Sequence, residues 1–216
     1  MSLANEIQAL QEKMIPNIPV DSLAVIMQKT EQLVASRISD LSLKAGDLAP
    51  PFSLENEKGG VQKSETLLSE GPLVISFYRG GWCPYCDLEL RALQRVLPEI
   101  RSRGASLVAI APELPEKVQE SVESKVLEFT VLSDRGNQVA KEFGLVFSLD
   151  EALRPVYAAF GFDIPDYNGD QSYELPIPAT YIVGIDGRII WSFVDEDYTK
   201  RAEPEEILNV LKSLHS

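Results

Sequence analysis

A chain of 216 residues with 44% hydrophobic and 25% charged residues has the make-up of one globular domain, or of one domain with an extension. Its net charge of -13, with no dense Lys/Arg run, argues against a nucleic-acid partner and is read as solubility. Two cysteines are too few for a disulfide scaffold, and with a single histidine they fall short of a closed zinc site.

Leu3, Ile7, Leu10 and Met14 recur at helical spacing until Pro16 and Pro19 break the pattern. Asp21 is the expected N-cap of a second helix carrying Val25, Ile26, Leu33, Val34 and Ile38. The N-terminus lacks a basic segment followed by an apolar run, and no apolar stretch is long enough to span a bilayer. The expectation is therefore a cytoplasmic protein without a membrane partner. "LSLKAGDLAPPF" reads as an extended linker.

Beyond it, "PFSLENEKGGVQ" predicts two short strands around a Gly-Gly turn, and "LVISFY" (73–78) a strand buried on both faces. A helix follows from about Pro84 to Arg103, with Gly104 as its stop. "SLVAIAP" is a buried strand, "PEKVQESVESK" a helix opened by Pro115, "EFTVLSD" a strand and "GNQVAKEFG" a short helix. Residues 145–178 interrupt the alternation, with a helical "SLDEALRPVYAAFG" and a loop "DIPDYNGDQSYELPIP". "ATYIVGI" and "RIIWSF" flank Asp186-Gly187 as a hairpin, and Pro204 opens a last helix ending near His215. This order predicts an α/β fold, a mixed sheet flanked by helices in the thioredoxin arrangement. Residues 1–42 form a helical extension to a domain at 43–216. The extension either packs on the domain or pairs with a second copy in a homodimer.

The chemistry is concentrated in "RGGWCPYC" (79–86), which holds both cysteines. Pro84 suits the first helical position, placing Cys83 near the N-cap and Cys86 near the third helical residue. Free backbone N–H groups, the helix dipole and the Cys-x-x-Cys spacing all favour a thiolate there. Arg79 adds positive charge if its side chain turns toward the sulfur. One cysteine can attack an oxidised substrate and the other resolve the adduct as a disulfide. Helix geometry favours Cys83 as the more exposed nucleophile, with Cys86 a turn deeper. Trp82 and Tyr85 are candidates for an apolar rim, Asp87 and Glu89 for helix stabilisers, and "VDEDYTKRAEPEE" for a solvated face. The "LVISFY" strand offers no buried carboxylate to take protons from the deeper cysteine.

"KAGDLAPPFSLENEKGG", "LVISFYRGGWCPYCDLELRAL" and "VLSDRGNQVAKEFGL" resemble successive blocks of the peroxiredoxin-like branch of the alkyl hydroperoxide reductase/thiol-specific antioxidant family. The resemblance runs from about Leu43 to the C-terminus and is absent from the first forty residues. It implies a peroxiredoxin-type thioredoxin fold, antioxidant reduction of hydroperoxides without a cofactor, and a thioredoxin or glutathione system as reductant. The family's Pro-x-x-x-Thr-x-x-Cys pattern puts Arg79 at the proline, Cys83 at the threonine and Cys86 at the peroxide-attacking cysteine. The family's late activating arginine is replaced by Pro178. "GWCPYC" and "IPAT" are similar to thioredoxins, which implies a cis bond before Pro178 facing the thiols. Three functions follow: hydroperoxide reduction with Cys86 attacking, protein-disulfide reduction with Cys83 attacking, or a redox-inert binding or sensor module.

Overall fold

The computed structural model describes residues 2–214, so His215 lies outside the described residues. A seven-stranded mixed sheet runs in the order β2-β1-β5-β4-β3-β8-β9. Its interior strand β3 (Leu73–Phe77) is buried at every residue, parallel to β4 (Ser106–Ala111) and antiparallel to β8 (Ala179–Val183). β5 (Thr130–Ser133) extends the parallel part. The expected strand pairs β1 (Ser53–Asn56) with β2 (Val61–Lys63), and β8 with β9 (Ile189–Val194), form the two margins. The two-residue alternation of β3 divides the core. Val74 packs toward helix α4 (Pro84–Ser102), while Leu73, Ile75 and Phe77 face the opposite layer. A short α3 (Ser64–Glu70), which the sequence did not announce, starts where the Ser64 hydroxyl accepts the Phe52 N–H at 2.9 Å.

The first helix, α1 (Leu3–Met14), buries Leu3 and Ile7 against the domain. Its first N–H groups, from Leu3 and Ala4, donate to the Glu203 carboxylate at 2.9 and 2.7 Å. Arg95 of α4 reaches Glu6 at 2.6 Å. The extension therefore docks on its own domain. Helix α2 (Val20–Ser36) begins one residue before the expected cap, with Pro19 at the N-cap and Asp21 in the first turn. Proline's preset φ makes it a suitable entry, and the carboxylate there still complements the dipole. No described helix is long and apolar enough to cross a membrane.

α5 (Pro115–Lys125) and α6 (Gln138–Glu142) match the predicted helices. The 145–178 region is more ordered than expected. β6 (Val146–Ser148) pairs with β7 (Glu174–Pro176), and between them lie α7 (Arg154–Ala159) and α8 (Ile164–Asn168). The loop expected at 163–178 fails because a strand-to-strand pairing between residues 26 to 30 apart, from Ser148–Glu174 to Val146–Pro176, has no local signature. No peptide bond among the described residues is cis, so the expected cis bond before Pro178 is trans. The trans form is the ordinary state of X–Pro, and here the bond lies in the short link between β7 and β8. The C-terminal α9 (Pro204–Ser213) packs on α4 and opens with a Glu203/Glu206 capping box.

Candidate active site

The strand-to-helix junction after β3 is shaped by its two glycines. Gly80 has φ 150°, and a Cβ there would lie 2.2 Å from the Trp82 indole nitrogen. At Gly81 a Cβ would lie 1.8 Å from Ser121 Oγ. The backbone can thus approach both neighbours closely only without side chains. Gly80→Ala is expected to cost about 1–3 kcal/mol and to shift Trp82. Thermal melting and tryptophan emission would show it, and an unchanged melt would contradict this view of the turn.

Cys83 is the N-cap of α4 and Pro84 its first residue. The Cys83 N–H donates to the Gly80 carbonyl at 3.1 Å, and its carbonyl accepts from Asp87 N–H at 3.0 Å. Both thiols are free and buried, 1% exposed at Cys83 and 0% at Cys86. Cys83, expected to be the more exposed of the two, is nearly as buried as Cys86. Yet only Cys83 borders a cavity of about 350 Å³, together with Arg79, Trp82, Tyr85 and side chains of α1 and α2.

The two sulfurs differ in charge preference. Burial raises the Cys83 pKa, but hydrogen bonding from Cys86, through its thiol and backbone N–H, and the Arg79 and Arg201 charges outweigh it and bring it down to about 6. Burial and the neighbouring Cys83 sulfur push Cys86 well above the usual thiol range. One negative charge on the pair therefore resides at Cys83.

Arg79 is 2% exposed and lines the cavity with Cys83. It donates to the Tyr157 hydroxyl at 2.6 Å and lies over the rings of Trp82, Tyr157 and Tyr198 at 5.0, 5.4 and 4.4 Å. Trp82 packs on Tyr157 and Phe162, at 5.8 and 5.3 Å between ring centroids, and Tyr85 on Tyr198 at 5.6 Å. Both line the cavity. Pro178 is buried near the start of β8 and does not line the cavity.

The sequence reading missed Arg201. It lies in the stretch expected to be a solvated face, yet it is 8% exposed and its Nη2 donates to Cys86 Sγ at 3.4 Å. Its Nε donates to Glu89 at 2.6 Å, and its Nη1 to the carbonyls of Lys200 (2.7 Å) and Tyr198. Nothing in "DYTKRAE" marks this arginine, because its partners sit over a hundred residues upstream. Glu89 is correspondingly a buried partner of Arg201 rather than a surface helix stabiliser. Burial raises its carboxyl to about 7 despite that arginine. Glu113, also buried, accepts from Gly81 N–H at 2.8 Å and Tyr78 hydroxyl at 3.3 Å, and burial lifts it to about 7. The strand itself lacks a carboxylate, as read, but two arrive from neighbouring elements.

The sequence model of the AhpC/TSA family matches residues 45–192, which include the whole cysteine junction. The chain belongs to the AhpC/TSA family. Peroxiredoxin Bcp of Escherichia coli is 28% identical over 170 residues, covering 79% of this chain and 96% of that protein. A putative peroxiredoxin of Mycobacterium tuberculosis is 24% identical, covering 81% and 99%. Among solved structures, peroxidoxin BcpB from Mycobacterium tuberculosis superposes with a TM-score of 0.64 at 22% identity, covering 81% of this chain and 99% of that one. A cysteine-to-serine mutant of PrxQ from Xylella fastidiosa gives 0.63 at 15% identity, covering 81% and 98%. The AhpC/TSA protein is thus a thiol-dependent oxidoreductase on a thioredoxin-like fold. The matched span leaves out Arg201 and both extension helices, α1 and α2.

Proposed function

We propose that this protein reduces hydroperoxides by a dithiol/disulfide cycle in which Cys83 attacks and Cys86 resolves. The observation that carries the assignment is that Cys83 alone borders the cavity and is also the thiol lowered to about 6. The Cys83 thiolate attacks one peroxide oxygen; the S–O bond forms as the O–O bond breaks. Sulfur is oxidised by two electrons to the sulfenic acid, and the departing alkoxide takes a proton as the alcohol. Cys86 sulfur then attacks Cys83 sulfur, an S–S bond forms, and the hydroxyl leaves as water. A thioredoxin-type dithiol, or glutathione, returns two electrons and completes the cycle.

In this cycle Arg79 holds positive charge beside Cys83, Pro84 sets the helix start, and Trp82 and Tyr85 keep water from the sulfur. Arg201 takes the position of charge donor to Cys86 that Pro178 cannot fill. Residues 43–216 form the catalytic domain, residues 1–42 its extension, and a cytosolic setting keeps the dithiol reduced. A second reading, reduction of protein disulfides, is favoured by the N-cap position of Cys83 in a Cys-x-x-Cys turn and uses the same nucleophile. The wall of α1 and α2 opposite the thiol works against a protein substrate.

The pH dependence tests the assignment. Below about 6 Cys83 carries its proton and is a poor nucleophile; above, it is the thiolate. Single-turnover consumption of hydrogen peroxide by the reduced protein is expected to rise through a midpoint near pH 6 and then level off. A midpoint near the free-thiol value of about 8.5, or no consumption at all, would sink the proposal.

A further inference from the structure

The cavity before Cys83 has two walls of different origin. Trp82, Tyr85, Tyr157 and Phe162 come from the domain, whereas Met14, Ile18, Ile26 and Met27 come from the extension that lies outside the family match. At about 350 Å³ it is within the size range of small-molecule sites. By liquid volume it would hold about a dozen waters. Hydrogen peroxide would therefore leave most of it as water against apolar walls, an unfavourable filling. A molecule with an aryl or branched alkyl body would displace that water.

Polar features narrow the ligand further. Arg79 lines the cavity beside Cys83, and its guanidinium forms no ion pair with a carboxylate among the described residues. A guanidinium carries several N–H donors, and the oxygens of an organic hydroperoxide are acceptors for them. Glu31 and Asp197 supply acidic groups to the lining, while Arg79 is held by the Tyr157 hydroxyl and three aromatic rings. A second negative charge on the ligand would meet repulsion.

We propose that α1 and α2 form a specificity wall that selects neutral organic hydroperoxides with a bulky aryl or branched-alkyl body, over hydrogen peroxide and over carboxylate-bearing hydroperoxides. This deepens, and rests on, the reading of the protein as a hydroperoxide reductase. Met27 is 56% exposed and Ile18 partly buried, so both can be changed without opening the core.

Two measurements on the full chain test the wall. In the first, kcat/KM for cumene hydroperoxide is divided by that for hydrogen peroxide. The ratio is expected to fall about tenfold in a Met27→Glu/Ile18→Ser double variant, the scale of one apolar side chain's burial. In the second, 2-phenyl-2-propanol, the unreactive alcohol of cumene hydroperoxide, is titrated calorimetrically into Cys83→Ser protein. Binding should saturate, and weaken about tenfold when Met27→Glu and Ile18→Ser are added. An unchanged ratio, no saturable binding, binding indifferent to the added changes, or a preference for a carboxylate-bearing hydroperoxide of equal size would each overturn the wall. If no peroxide is consumed, the reductase reading fails by itself, and the titration, which needs no turnover, still decides whether the extension binds the apolar body.

Discussion

Replacing Cys83 with serine is expected to lower peroxide turnover by about a thousandfold or more, because a hydroxyl does not ionise near neutral pH and is a poor nucleophile. The partner substitution should behave differently. Cys86→Ser loses catalytic turnover but still consumes one equivalent of peroxide, stopping at a Cys83 sulfenic acid that a dimedone-type reagent traps. The contrast rests on the different surroundings of the two sulfurs. Cys83 borders the cavity, whereas Cys86 is fully buried beside Arg201. If Cys83→Ser kept the single equivalent and Cys86→Ser lost it, the roles would be reversed. The attack would then belong to the position that the family pattern alone assigns.

Arg201→Met should produce the largest loss of stability. It removes the charge facing a buried carboxylate at 2.6 Å and a hydrogen bond to Cys86. Breaking a buried pair from one side costs about 3–5 kcal/mol, since the remaining charge stays desolvated. The effect has a definite pH sign. The Glu89 carboxyl is raised to about 7, so its protonated form is the one favoured by folding. That favourable contribution is complete below the unfolded carboxyl value and is lost as pH rises through about 7, where the carboxylate forms and Arg201 offsets its burial. Denaturant unfolding should therefore show a larger deficit for Arg201→Met at pH 8 than at pH 5. An equal deficit at both would mean that lost packing, rather than the Glu89 charge, dominates. Arg201→Lys should recover part of the stability, but a point charge cannot serve Glu89, Cys86 and two carbonyls as the guanidinium does.

The fold was legible wherever local pattern and buried layer agree. The run "LVISFY" is buried over its whole length and supplies β3, Pro84 and Pro115 open their helices, and Asp186-Gly187 turns the β8–β9 hairpin. It was illegible where pairing is remote. β6 and β7 carry no alternation long enough to declare strands, and α8 depends on the Asp163 cap accepting from Asp166 N–H at 3.3 Å. Glu89 was misjudged for a related reason. Its position in the first turns of α4 suits a dipole partner, and only the approach of Arg201 makes it a core residue.

The sequence by itself determined the pairing of both cysteines in one turn, its strand-to-helix setting and the family. Spacing, proline placement and the run of apolar residues are local properties of the chain, and local sterics translate them directly into backbone geometry. The tertiary structure alone decided which charges surround each sulfur and which thiol meets the cavity. Arg201, Glu113 and the α1–α2 wall reach the site from distant parts of the chain, and burial, which depends on every layer at once, sets both their electrostatics and their access.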